Sequence, residues 1–378
     1  MNPAWSFLAR LESRVARLSE ARQAIQMQVQ DTRLKKRLGD ELSDRIEKHI
    51  EALRTRKRNF ANSDSVPEHA WGEVAPFASS SLLDESLLYL QAARSRSSGS
   101  EADLCEITDA LFREIADQAR SLSWNSFCVF AVEDSFDVLT QVIRVRYPLS
   151  GVWDIPVAVH EFGHFFSSQL RGHRADGSSF LAFEEYKSSS IDPRRMWLDE
   201  IFADLFATYT VGPAFACSCL LLRFDPVRAQ EEADGKHPSY AKRASVILRT
   251  LSLRNNENPG SGSLRPLINI LDNSWRETCT SAGTTCDVSP EDQAWINLQI
   301  SNIYNMLKSE EEGLRFKQWE SASNQVPLLE EPAKSPADFA IIELLNAAWI
   351  SRLKANSRPD QLSQNFTALA RRKTVFHD

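Results

Sequence analysis

The stretch His160-Glu161-Phe162-Gly163-His164, set between Val157-Ala158-Val159 and Phe165-Phe166, leaves this chain few ways to fold. Residues four apart on an α-helix lie one above the other, so a helix here presents two imidazoles on one face, where both can point at a single metal ion. Glu161 then leans over the same place from the neighbouring row. Pro156 suits a first helical turn, and Asp154 suits the N-cap before it. Gly163 inside such a helix costs up to about 1 kcal/mol relative to alanine, which predicts close packing against a second backbone.

A metal ion used for chemistry takes three protein ligands and keeps one position open for water. The stretch 197–207 offers the missing ligand: Glu200 and Asp204 are again four apart, with Ile201, Phe202, Leu205 and Phe206 covering the other side. A carboxylate on a half-apolar face needs a partner. Glu200 as third ligand and Asp204 as acceptor for the second ring nitrogen of a ligand histidine would satisfy both. The alternative is a helix with a solvated acidic edge. His173, in the polar loop 171–179, and Glu184 and Glu185 are rival ligands. His160, Glu161 and His164 make the H-E-x-x-H arrangement of zinc-dependent hydrolases, and Glu200 would complete the ligands of a Zn2+ ion.

That motif followed by Glu200-x-x-Ala203-Asp204 resembles the gluzincin metallopeptidases. With His237-Pro238 and Arg243 six positions after His237, the pattern is similar to the branch holding the CAAX prenyl endopeptidase and the heat-shock peptidase HtpX. The match covers 157–243, under a quarter of the chain. It implies a zincin-like core acting on a protein or peptide substrate, with Glu161 as the general base that later protonates the leaving amine. It also implies a second donor to the oxyanion, for which His237 and Arg243 are the candidates, then Tyr240 and, more distantly, Tyr209. An exposed strand near 127–132 or 142–147 would pair with the substrate backbone. Those relatives are mostly integral membrane proteins, whereas this chain has no uncharged apolar run of about 18 residues. The longest candidate, 205–222, contains Thr208, Thr210, Gly212, Pro213 and Ser218 and reads as a buried core helix. The prenylated substrate is therefore not carried over.

A chain of 378 residues with 42% hydrophobic content can bury a sizeable core, and its net charge of -7 argues against nucleic acid as main partner. Arg10, Glu12 and Arg14 interrupt any signal-peptide core, which points to a cytoplasmic protein. The six cysteines show no C-x-x-C spacing, and in that compartment free thiols are expected. The expected fold is α+β with helices dominant, in four segments. Residues 1–60 read as a helical or coiled-coil arm seamed on Leu11, Val15, Leu18, Ile25 and Val29, then Leu42, Ile46, Ile50 and Leu53. Residues 5–58 would join a partner protein or a second copy, or fold back as a hairpin on their own domain. Residues 61–125 read as helices packed on the core, 126–250 as the metallopeptidase core with a small sheet, and 251–378 as a C-terminal helical wrap. From another functional class, a zinc-stabilised scaffold or sensor acting through the arm fits the same segments.

Overall fold

The computed structural model describes residues 3–27, 39–61, 66–67, 70–71, 80–96, 100–120, 122, 128–131, 135–137, 142–146, 151–174, 176–232, 235, 237–257, 263–316, 319–330, 339–354 and 357–375. They are predominantly helical, with short strands around the central motif. Contacts divide the chain into two compact units, 1–102 with 129–131, and 103–128 with 132–378. None of the described helices is long and apolar enough to cross a membrane.

In the first unit, α1 (Pro3–Met27) and α2 (Asp40–Phe60) form an antiparallel hairpin, and α3 (Ser80–Ser95) packs against α1. The direction is fixed by pairs whose numbers rise on one helix as they fall on the other: Phe7 meets Phe60 at 5.2 Å, Glu12 meets Lys57 at 2.5 Å, and Arg22 meets Glu47 at 2.8 Å. Phe7, Leu11, Leu18 and Ile25 are buried, as are Leu42, Ile46, Ile50 and Leu53. Arg14 holds the seam place expected of Val15, which is half-buried, and Val29 lies outside the described residues. The apolar stripe of each helix is thus covered within the chain.

The second unit is organised around α5 (Ile155–Ser167) and α7 (Leu198–Val211), the two helices carrying the motif residues. Gly163 explains how closely they lie: a Cβ added there would stand 2.9 Å from the Ala203 Cα. Phe162, Phe166, Phe202 and Phe206 are all buried around this approach, with Phe166 and Phe206 centroids 4.8 Å apart. Phe112 of α4 (Ser100–Gln118) stacks on Phe162 at 4.9 Å. Strands β2 (Ser135–Asp137) and β3 (Val142–Arg146) pair antiparallel with Phe136 opposite Ile143, after β1 (Cys128–Ala131). The 171–179 segment expected as a loop is instead the start of a second hairpin, β4 (Arg171–His173) with β5 (Ser179–Leu181), leading into α6 (Ala182–Ser189).

The stretch 205–222 departs from a single helix. It breaks at Gly212, whose φ of 70° is the left-handed conformation glycine tolerates. Chain direction then changes into α8 (Pro213–Ser218) and a wider turn, Cys219–Arg223. Fully buried Asn346, on α13 (Ile341–Arg352), satisfies both ends of the break: its Nδ2 donates to the Val211 carbonyl at 2.8 Å, and its Oδ1 accepts from the Ala214 N–H at 2.9 Å. The helices α9 (Tyr240–Glu257), α10 (Arg265–Ser281) and α11 (Pro290–Glu310) follow, with α9 and α11 packed on α7. The C-terminal helices α12 (Trp319–Glu330), α13 and α14 (Pro359–Val375) pack on one another, with Trp349 buried.

Candidate metal centre

Helices α5 and α7 bring the paired imidazoles to the downstream carboxylate. His160 Nε2 and His164 Nε2 are 3.2 Å apart, and each lies 3.3 Å from an oxygen of Glu200. Four ligands arranged tetrahedrally at about 2.0–2.1 Å from a zinc-sized ion stand about 3.3–3.4 Å from one another. The two histidine nitrogens already stand at such a spacing, each faces a different oxygen of Glu200, and among the described residues these three side chains are a group that could hold a metal ion. Three lone pairs this close, on a buried His160 and Glu200 and a half-buried His164, repel unless a proton or a cation sits among them.

A layer of partners fixes the donors. His160 Nδ1 lies 2.9 Å from Asp204 Oδ1, so its N–H donates to Asp204 and its Nε2 lone pair faces the other two ligands. Arg243, near the start of α9, donates to Asp204 through both Nε and Nη2 at 2.8 Å, and its Nη1 is 3.6 Å from Glu200. The charges are strongly interdependent. Burial alone would lower the His160 pKa, but Asp204, against the opposing charge of Arg243, raises it to about 10. Burial would likewise raise the Glu200 carboxyl, yet hydrogen bonds from His160 and His164 and the charges of His160 and Arg243 hold it well below the usual range. Asp204, wholly buried, is held down against the same penalty by Arg243 and His160.

The donors open into a cleft of 660 Å3. Glu161, 8% exposed, lines it beside them, as do His237, Tyr240 and Arg243. Exposed His237 stands at the mouth with Nε2 3.4 Å from Glu200 Oε1, and Tyr240 stacks on Phe224 at 5.0 Å. Two of the Arg243 nitrogens are engaged by Asp204, which makes this side chain a brace for the carboxylates. Tyr209 belongs elsewhere: it is fully buried against Tyr304 and does not line the cleft.

The rival ligands stand apart from the donor triangle. Among the described residues His173 pairs with Glu310, at 4.0 Å, and Glu185 is bound by Arg174 at 2.6 Å. Glu184 lines the cleft and pairs loosely with Lys187 at 3.7 Å. Asp154 precedes α5 but makes no side-chain cap; its carboxylate accepts from the Gly151 N–H and pairs with Arg223 at 2.9 Å. Sequence reading missed the wall formed by Phe215, Cys219 and Phe224, because only the break at Gly212 turns that stretch back to the cleft. The Gly212-Pro213 pair was the available signal. Compared with protein-family models, curated proteins and solved structures, the chain returns no match.

Proposed function

We propose that this chain is a zinc-dependent metalloendopeptidase of gluzincin type with a zincin-like core. The observation that carries the reading is the donor triangle of His160, His164 and Glu200, braced by Asp204 and Arg243, in a cleft that also holds Glu161. Two imidazoles and one carboxylate are a donor set suited to zinc, and three protein ligands leave the open position that catalysis needs. Zinc held there supplies a Lewis acid that lowers the pKa of water and polarises a carbonyl.

The chain's own residues do the rest. Glu161 takes a proton from the attacking water and returns it to the leaving amine. Asp204 keeps His160 in the tautomer whose Nε2 is a ligand, and Arg243 keeps Asp204 and Glu200 charged and in place. His237, with Tyr240, donates to the oxyanion of the tetrahedral intermediate, a role supported by the lining of the cleft by both residues.

The test is metal content followed by cleavage of an unfolded protein by wild type and by Glu161→Gln. Wild type should bind about one zinc per chain and cleave, while Glu161→Gln should bind the same zinc and lose at least about 100-fold in rate. Equal cleavage by both would refute the role given to Glu161. Zinc binding without cleavage by wild type across many substrates would favour the scaffold or sensor reading instead.

A further inference from the structure

The cleft does not end at the donor triangle. Beyond Glu200 and His237 it continues into a second cavity of 710 Å3 lined by Lys187, Asp199, Arg195 and Met196. The cations along these two cavities differ in one respect. Arg243 is bound to Asp204, Arg223 to Asp154 at 2.9 Å, and Lys187 to Asp199 at 2.9 Å. Glu184 also approaches Lys187, at 3.7 Å, so that group offers a peptide no net positive charge. Arg195 meets the Ser190 carbonyl at 3.5 Å and, among the described residues, no carboxylate.

The turn that carries Arg195 is built to hold still. It is a short 3-10 segment, Pro193–Trp197, capped by the Asp192 side chain, which accepts from the Arg194 N–H at 2.8 Å. Arg194 is tied to Asp192 and to Asp292 at 3.2 Å, and buried Trp197 packs edge-on against Trp295 at 6.0 Å. Between these anchors the turn presents Arg195 together with Met196, 49% exposed, and Ile191, 98% exposed, stands just before the Asp192 cap. Arg195, with no carboxylate partner among the described residues, and Met196 thus line the cavity next to the metal cleft on a turn anchored at both ends.

We propose that the 190–196 turn selects peptide substrates bearing an aspartate or glutamate next to an apolar residue, with Arg195 as the residue that reads the carboxylate. The inference rests on the hydrolase reading for its substrate class, but its test does not depend on turnover. The full chain carrying Glu161→Gln is titrated by fluorescence anisotropy with two fluorescein-labelled peptides, identical except for a central Leu-Glu-Glu or Leu-Lys-Lys. The acidic peptide should bind about fivefold more tightly at low salt, the size expected of one partly exposed charge pair, and the preference should vanish in high salt. Arg195→Gln should abolish the preference and Arg195→Glu should invert it, with circular dichroism verifying that each variant is folded.

Equal affinities, no binding of either peptide, or a preference unchanged in Arg195→Glu would overturn the proposal. Wild-type cleavage of both peptides at equal kcat/KM would also overturn it and leave the hydrolase intact. Charge-selective binding through Arg195 without cleavage by the zinc-loaded wild type would sustain the subsite and sink the hydrolase.

Discussion

Replacing Gly163 by alanine tests whether the spacing between α5 and α7 sets the geometry of the metal centre. The added Cβ would fall 2.9 Å from the Ala203 Cα and 3.3 Å from its Cβ and carbonyl oxygen. Carbon atoms rest at about 3.5–4.0 Å, so the helices must separate by roughly 0.6 Å or more. Gly163 lies between His160 and His164 on one helix, and Ala203 lies between Glu200 and Asp204 on the other, so the displacement acts directly on the donors. Metal sites tolerate about 0.2 Å of error in ligand distance. Helix propensity favours alanine by up to about 1 kcal/mol, while overpacking costs about 1–3 kcal/mol, giving a net loss of about 0–2 kcal/mol in the metal-free chain. Zinc affinity should fall more steeply, by about 10–100-fold, as when an outer partner of a ligand is lost. Competition against a chromophoric chelator measures the affinity, and urea unfolding with excess chelator measures the stability. A Gly163→Ala variant that holds zinc as tightly as wild type would refute the idea that this approach sets the donor triangle.

Two further substitutions probe charged pairs of the second unit. Asp204→Asn keeps the shape but removes the wholly buried charge that half-buried Arg243 pairs with, so the metal-free protein should lose about 3 kcal/mol in urea unfolding; a loss under about 0.5 kcal/mol would contradict the brace. Glu257, at the end of α9, has a pKa below its ordinary 4.5 despite burial, because Lys308 and Tyr304 donate to it and Lys308 and Arg254 lie close. A depressed carboxylate stabilises above its unfolded pKa and loses that contribution as pH falls through the folded value. Urea unfolding should therefore separate wild type from Glu257→Gln at pH 7 and by less as pH falls below the ordinary carboxylate range, and a gap that does not change with pH would rule this out.

What could be read in the sequence followed strong local rules. The i,i+4 spacing of His160 with His164, and of Glu200 with Asp204, fixes which side chains share a face, and Gly163 marks where two backbones approach. The hairpin β4–β5 was less legible, because Arg171 and Ser179 carry little β-propensity and the pairing places Gly172 opposite Phe180, with no room at Gly172 for a Cβ. Neither the two bonds from Asn346 across the break at Gly212 nor the position of Arg243 under Asp204 leaves a periodic trace, since each joins residues distant in the chain. Such contacts belong to tertiary packing, which local patterns cannot specify.

The bend at Gly212 reaches further than the helix it ends. Past the break, the chain lays the Phe215 ring nearly parallel to the His160 imidazole, 6.4 Å away. The donors thus have an aromatic wall beside them as well as the charged pair of Asp204 and Arg243 behind His160. An ion lodged there would feel its ligands' charges in surroundings much less polarisable than water, which strengthens its hold and sharpens its pull on whatever enters from the front.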